Sequence, residues 1–167
     1  MNLAIDVHYR EDSAMVAGIF FEDWSSNKIA RTLTVEVDNV KPYEPGAFYK
    51  RELPCILELL KQVSEQLALI IVDGFVTLGD GQADGLGMHL YRTLDKSTPI
   101  IGVAKRPFLE TPKDCEIYRG GSSKPLLVSS IGIPLSEAKT LIENMHGLHR
   151  IPTLLKRADQ ACRGICN

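Results

Sequence analysis

The sequence predicts an α/β fold: a mixed sheet in which an antiparallel three-strand meander is followed by parallel βα units, with helices flanking the sheet. Three observations carry this. Residues 2–8, 14–21 and 29–37 are short apolar or alternating runs separated by polar turns at hairpin spacing, which is the pattern of a meander. Residues 67–73 (LALIIVD) and 99–105 (PIIGVAK) are continuous apolar runs, as a strand buried on both faces by parallel neighbours requires. Helical spacing falls before, between and after those two runs, so the sheet gains its covering layers.

Each element has its own signal. After the meander, DNVKPYEPG is turn-rich, and Pro42 and Pro45 forbid a regular element there. From about Ala47 to Gln66 the spacing becomes helical, with Ile56, Leu60, Val63 and Leu67 at i, i+4, i+7 and i+11. Pro54 must lie in the first turn of that helix or mark a kink. The Gly-rich stretch GFVTLGDGQADG follows the 67–73 strand and leads into a helix near 85–96. CEIYR and KPLLVSS flank Gly120-Gly121-Ser122-Ser123 as a hairpin. Ser136 can cap a helix over 137–146, and Pro152 suits the first turn of a last helix over 153–163. No internal repeat or linker divides residues 1–167, which read as a single domain.

Composition bounds the function. The chain has 167 residues, 44% hydrophobic and 24% charged, with a formal charge of −2, so a core of useful size needs neither disulfides nor a structural metal. No apolar run is long enough for a membrane span, and the first ten residues are not signal-like, so a cytoplasmic monomer is expected. Residues 99–167 carry ten basic against six acidic residues, which can form a phosphate-contacting face or simply a solvated surface. Cys55, Cys115, Cys162 and Cys166 are expected to be buried or incidental thiols. Cys162 and Cys166 could share a helix face, but no second Cys/His pair stands at zinc spacing nearby.

Charges stand at the ends of three apolar strands: Asp6 after Leu3-Ala4-Ile5, Asp73 after Ile70-Ile71-Val72, and Lys105 after Val103-Ala104. A single such charge marks the water boundary. Three at the carboxyl ends of strands in one α/β sheet fit a binding crevice equally well. Paired carboxylates on rigid strands suit Mg²⁺, which takes hard oxygen ligands and polarises phosphate oxygens and water. Glu52 could add a third carboxylate if its helix crosses the sheet edge, although its spacing alone makes it an ordinary exposed Glu.

The ordered set AIDV, YEPGAFYKRELP, LIIVDG and PIIGVAK resembles the endonuclease V family, inosine-directed nucleases with an RNase H-like fold. The later KPLLVSSIGIPLSEA and LKRADQACR are similar to that family's closing segments. The likeness runs over essentially the whole chain, without the N-terminal helical extension common in the family. It implies that Asp6 and Asp73 bind the metal, Mg²⁺ with Mn²⁺ as a substitute. Glu52 then corresponds to the catalytic glutamate, also a metal ligand, and Lys105 to a lysine that stabilises phosphate charge. Tyr43, with Pro42 and Pro45, matches a wedge that enters the duplex and helps expel the damaged base, where rigid prolines suit a part that must unstack bases. Asp159 falls at an accessory metal or charge position. The implied reaction is hydrolysis of the second phosphodiester bond on the 3′ side of deoxyinosine or inosine in DNA, or in RNA, as part of DNA repair.

The segment after Asp73-Gly74 departs from the family's H-G-x-x-H-P-R. Phe75 and Gly79 stand at the two histidine positions and no Pro-Arg follows; Ile133 also replaces a frequent histidine. Asp80 is a candidate replacement ligand near the metal. As a degenerate dinucleotide loop the 79–85 stretch is poor, because Asp80 and Asp84 would repel a pyrophosphate. The rival reading from a different class is a nucleic-acid-binding relative of the same fold that has lost efficient cleavage.

Overall fold

The computed structural model describes every residue except Gln82, Leu109, Cys166 and Asn167, so the expected pairing of Cys166 with Cys162 on one helix face lies outside the described residues. The three alternating runs form β1 (Asn2–Tyr9), β2 (Ser13–Phe21) and β3 (Arg31–Asp38), paired antiparallel. β3 alternates half-buried and exposed residues along its whole length, as an edge strand with one wet face must.

Helix α1 (Tyr49–Leu60) is shorter than its periodicity predicts. Its last amides fold into tighter turns, Gln62 N–H to the Leu59 carbonyl and Val63 N–H to that of Leu60, while Val63 and Leu67 still pack on the core beyond the helix end. Pro54 sits inside the helix, in its second turn, not the first. The next strand, β4 (Leu69–Asp73), is followed by a small unforeseen hairpin, β5 (Thr77–Leu78) with β6 (Ala83–Asp84), and then by α2 (Leu86–Thr93) and β7 (Ile100–Ala104). A short 3₁₀ turn over Lys113–Cys115 leads into β8 (Glu116–Ile117), which pairs antiparallel with β9 (Leu126–Ile131) as the expected hairpin. Helices α3 (Leu135–Glu143) and α4 (Thr153–Cys162) close the chain. Ser136 lies inside α3 and makes no cap; Pro134 occupies the cap position, and Pro152 occupies that of α4.

The large sheet has the order β3-β2-β1-β4-β7-β9-β8. Its centre is parallel, β1 with β4 and β4 with β7, and that is where the sequence becomes continuously apolar. Side chains alternate between two cores. Leu3, Ile5, Ile70, Val72 and Ile100 face the layer containing Ile56 and Leu59 of α1 and Leu90 of α2. Ala4, Ile71, Ile101 and Val103 face the layer containing Ile142 of α3 and Leu154 and Ala158 of α4. Among the described residues no helix is long and apolar enough to cross a membrane.

Candidate active site

The register brings the three charges together, although Asp6 does not end its strand: β1 runs on to Tyr9, paired with β2, and it is the pairing with β4 that stops before Asp6. Ile5 pairs with Val72, so Asp6 and Asp73, each the next residue, emerge side by side on parallel strands; Asp73 in turn pairs with Val103, two residues before Lys105. The period of two puts Asp6 and Asp73 on the face of Ala4 and Ile71, the α4 side of the sheet. The Lys105 ammonium donates to Asp73 Oδ2 at 3.0 Å. Both partners are about two-fifths exposed, so the pair contributes little to stability and serves to hold the ammonium over the carboxylates.

Glu52 reaches this neighbourhood from the α1 side. It is 6% exposed, which overturns the exposed-surface reading that its spacing suggests. Burial raises its pKa well above the ordinary glutamate value, and the charges of Asp6 and then Asp73 push it further the same way. Arg51 stacks its guanidinium 3.5 Å from the centre of the Tyr9 ring. The Tyr9 hydroxyl is buried beside Glu52, its pKa raised first by burial and then by the charge of Glu52.

From the opposite face α4 contributes Asp159 and Cys162. Their ligand atoms and those of Asp6 lie within 4.8 Å of one another, and no such group including Glu52 or Asp73 occurs among the described residues. The three predicted carboxylates are thus electrostatic neighbours, with two side by side, and the tight cluster is built from Asp6 and α4. Cys162 was missed as a site residue. The available signal was its spacing: three residues after Asp159, it shares that helix face. Burial, then Asp6 and Asp159, pushes its thiol up to about 12, and Cys162 Sγ donates to the Asp159 carbonyl at 3.1 Å. Asp80 is exposed in the β5–β6 turn and does not line the cleft of about 360 Å³ that Asp159 lines with Asp6, Asp73 and Lys105.

Asp6 itself is pushed up to about 7, first by burial and then by Asp73, against the opposing pull of Lys105 and of the Val7 N–H that donates to its Oδ1 at 2.8 Å. Glu52 from α1, and Asp159 and Cys162 from α4, complete its surroundings. The folded-state value lies above the roughly 3.9 of an unfolded Asp. The stabilisation is therefore complete below about pH 4 and is lost as pH rises through about 7. In chelator the melting temperature of the parent should fall between pH 5 and 8 more steeply than that of Asp6→Asn; equal slopes in the two proteins contradict this.

Two glycines and a serine fix the loop that leaves Asp73. Gly74 has φ +135°, and Val76 N–H donates to Ser129 Oγ at 2.9 Å. A Cβ on Gly102 would stand 2.6 Å from the Gly74 carbonyl oxygen and 2.8 Å from Ser129 Oγ. Gly102→Ala should destabilise the protein by about 1–3 kcal/mol, read as a lower denaturation midpoint; an unchanged midpoint would show that the loop yields freely.

An endonuclease V family model matches residues 3–160. The chain belongs to that family of nucleases. It is 30% identical over 161 residues to endonuclease V of Pyrococcus horikoshii, covering 96% of this chain and 72% of that protein. To the Pyrococcus abyssi endonuclease V it is 32% identical over 165 residues, covering 96% and 78%. The crystal structure of Streptomyces avermitilis endonuclease V superposes with a TM-score of 0.77 at 26% identity, over 97% of this chain and 79% of that one. Ciona intestinalis endonuclease V, in complex with a 24mer DNA containing an inosine followed by a ribo-adenosine, shares the fold at 22% identity and a TM-score of 0.77, over 98% and 84%.

In this member of the family the Pro42–Pro45 segment stands exposed beside a second cavity of about 620 Å³ lined by Tyr43, Phe48, Phe75, Asp84, Arg106 and Phe108, among others. Ala47 N–H bonds the Glu44 carbonyl at 3.0 Å, with Pro45 and a Gly46 of φ +78° between them, the residue pattern of a type II turn. Lys50 braces it by pairing with Glu44 at 2.9 Å. His89 is a packed residue, its ring stacked 3.6 Å from that of Tyr49.

Proposed function

We propose that this chain is a metal-dependent endonuclease that hydrolyses a phosphodiester bond 3′ to deoxyinosine or inosine in nucleic acid. The observation that carries the reading is the adjacency of Asp6, where β1 parts from β4, and Asp73, at the carboxyl end of β4, with Lys105 bonded across to Asp73. The donor set fits Mg²⁺ or Mn²⁺: hard carboxylate oxygens, with the Asp6 pKa raised by burial and then by the charge of Asp73, a cost that a divalent cation would relieve. Asp6 and Asp73 would hold it, joined by Asp159, whose carboxylate lies within 4.8 Å of that of Asp6, and supported by Glu52, while the Cys162 thiol beside them, pushed up to about 12, stays protonated. Such an ion supplies charge neutralisation at a phosphate oxygen and a more acidic water.

The chain's own groups supply the rest. Lys105 presents an ammonium to the cleft for the charge that builds on the phosphate. Glu52, buried and raised in pKa, is suited to take up a proton at its carboxylate as the attacking water is deprotonated. The exposed Tyr43, between Pro42 and the turn that Pro45 stiffens, is placed to unstack the base beside the aromatic cavity. The endonuclease V relatives support a nuclease, and the inosine-containing DNA of the Ciona complexes supports the substrate class.

A catalytically impaired relative is the second reading, favoured by Phe75 and the β5–β6 hairpin where the family's histidines would stand. Strand cleavage of inosine-containing DNA and RNA, with Mg²⁺ and with Mn²⁺, decides between them. Cleavage that disappears in Asp73→Asn supports the nuclease. Binding without cleavage under either ion overturns it in favour of the second reading.

A further inference from the structure

A hollow of about 510 Å³ opens beside the cleft, lined by His146, Leu148, His149, Lys156, Arg157 and Gln160 among others. Among the described residues no carboxylate side chain lines it. It shares His149, Ile151 and Lys156 with the cleft that holds Asp6, Asp73 and Lys105, so the two adjoin across those residues. Neither Lys156 nor Arg157 forms a salt bridge with any described residue.

One wall is rigid. Arg119, 8% exposed, donates to five main-chain carbonyls, those of Glu143, Met145, Gly147, His149 and Arg150, at 2.5–3.3 Å. It thereby fixes the segment that carries His146 and His149. Gly120 (φ +61°) packs so closely on that segment that a Cβ would stand 2.6 Å from the His149 carbonyl carbon. Arg150 extends the same bracing to the cleft, donating to the carbonyls of Lys105 at 2.5 Å and Pro125 at 2.7 Å. The other wall is α4, which places Lys156 and Arg157 at the hollow and Asp159 at the cleft. Leu148, 89% exposed, stands at the rim as an apolar contact for a sugar or base.

We infer that this hollow seats backbone phosphates of the nucleic-acid strand whose scissile bond lies in the cleft. Cations on a helix beside a braced wall, with no carboxylate among the described lining residues and adjoining the catalytic cleft, suit a polyanion that runs past both. The inference rests on the nuclease reading above.

The test is binding in chelator, where no metal-dependent cleavage intervenes, of a fluorescent single-stranded oligonucleotide containing inosine, across 50–300 mM salt. The Lys156→Gln/Arg157→Gln double variant should lower the slope of log affinity against log salt by about 1.5, at roughly 0.7 per phosphate contact, and bind about tenfold more weakly at low salt. Lys96→Gln, in the loop before β7 at the opposite end of the strands, should match the parent, as should the melting temperature of the double variant. A parent-like slope, or weaker binding with no change of slope, overturns the phosphate seat while leaving the nuclease reading intact. A parent that binds no oligonucleotide at any salt overturns both.

Discussion

Glu52→Gln should melt higher than the parent in chelator, by a few degrees, while losing at least ~10³-fold in strand-cleavage rate. The two effects share one cause. Glu52 is buried, and its carboxylate is opposed by burial, by Asp6 and by Asp73. A neutral amide of the same shape removes that opposition, and with it the only property that makes the side chain useful as a proton acceptor. Sites that bind a cation commonly hold such strain in the empty protein. Thermal melts of both proteins in chelator, beside single-turnover cleavage in Mg²⁺, read both halves. A variant that melts lower and cleaves normally would make Glu52 a structural residue.

Arg119→Ala should cost about 3–5 kcal/mol of stability, a larger loss than that expected for Gly102→Ala. The buried guanidinium satisfies five carbonyls, beginning with that of Glu143 at the end of α3. Without it those oxygens are left short of donors in a segment packed against the core. Lysine cannot restore a planar fork of donors, so Arg119→Lys should recover only part of the loss. Denaturant titration of the three proteins measures this. A loss below about 1 kcal/mol for Arg119→Ala would show that water replaces the guanidinium freely.

Much of the fold was legible because local pattern and tertiary role agree in it. The meander alternates, and the central strands are apolar throughout because each has a parallel neighbour and two covered faces. The β5–β6 hairpin was not legible, since two-residue strands are too short for periodicity to show. Ser136 looked like a cap, but Pro134 begins α3 two residues earlier. At the site, Asp6, Asp73 and Lys105 are visible as charges that stop apolar runs, and the structure places them together. Glu52 is different: its burial depends on how α1 crosses the strand ends, a matter of tertiary packing that spacing along one helix does not encode. Cys162 shows in the sequence only through its spacing from Asp159, its approach to Asp6 being a matter of tertiary packing, and the Arg119 hub is hidden because its partners lie 24 to 31 residues along the chain.

The claim under all of this is that Asp6 and Asp73 together form the seat of a divalent cation. Calorimetric titration of Mn²⁺ into the metal-free protein at pH 8 tests it without reference to any substrate. The account predicts saturable binding in the parent, and its loss in both Asp6→Asn and Asp73→Asn while both variants remain folded. Binding that survives in either variant, or none in the parent, would contradict it.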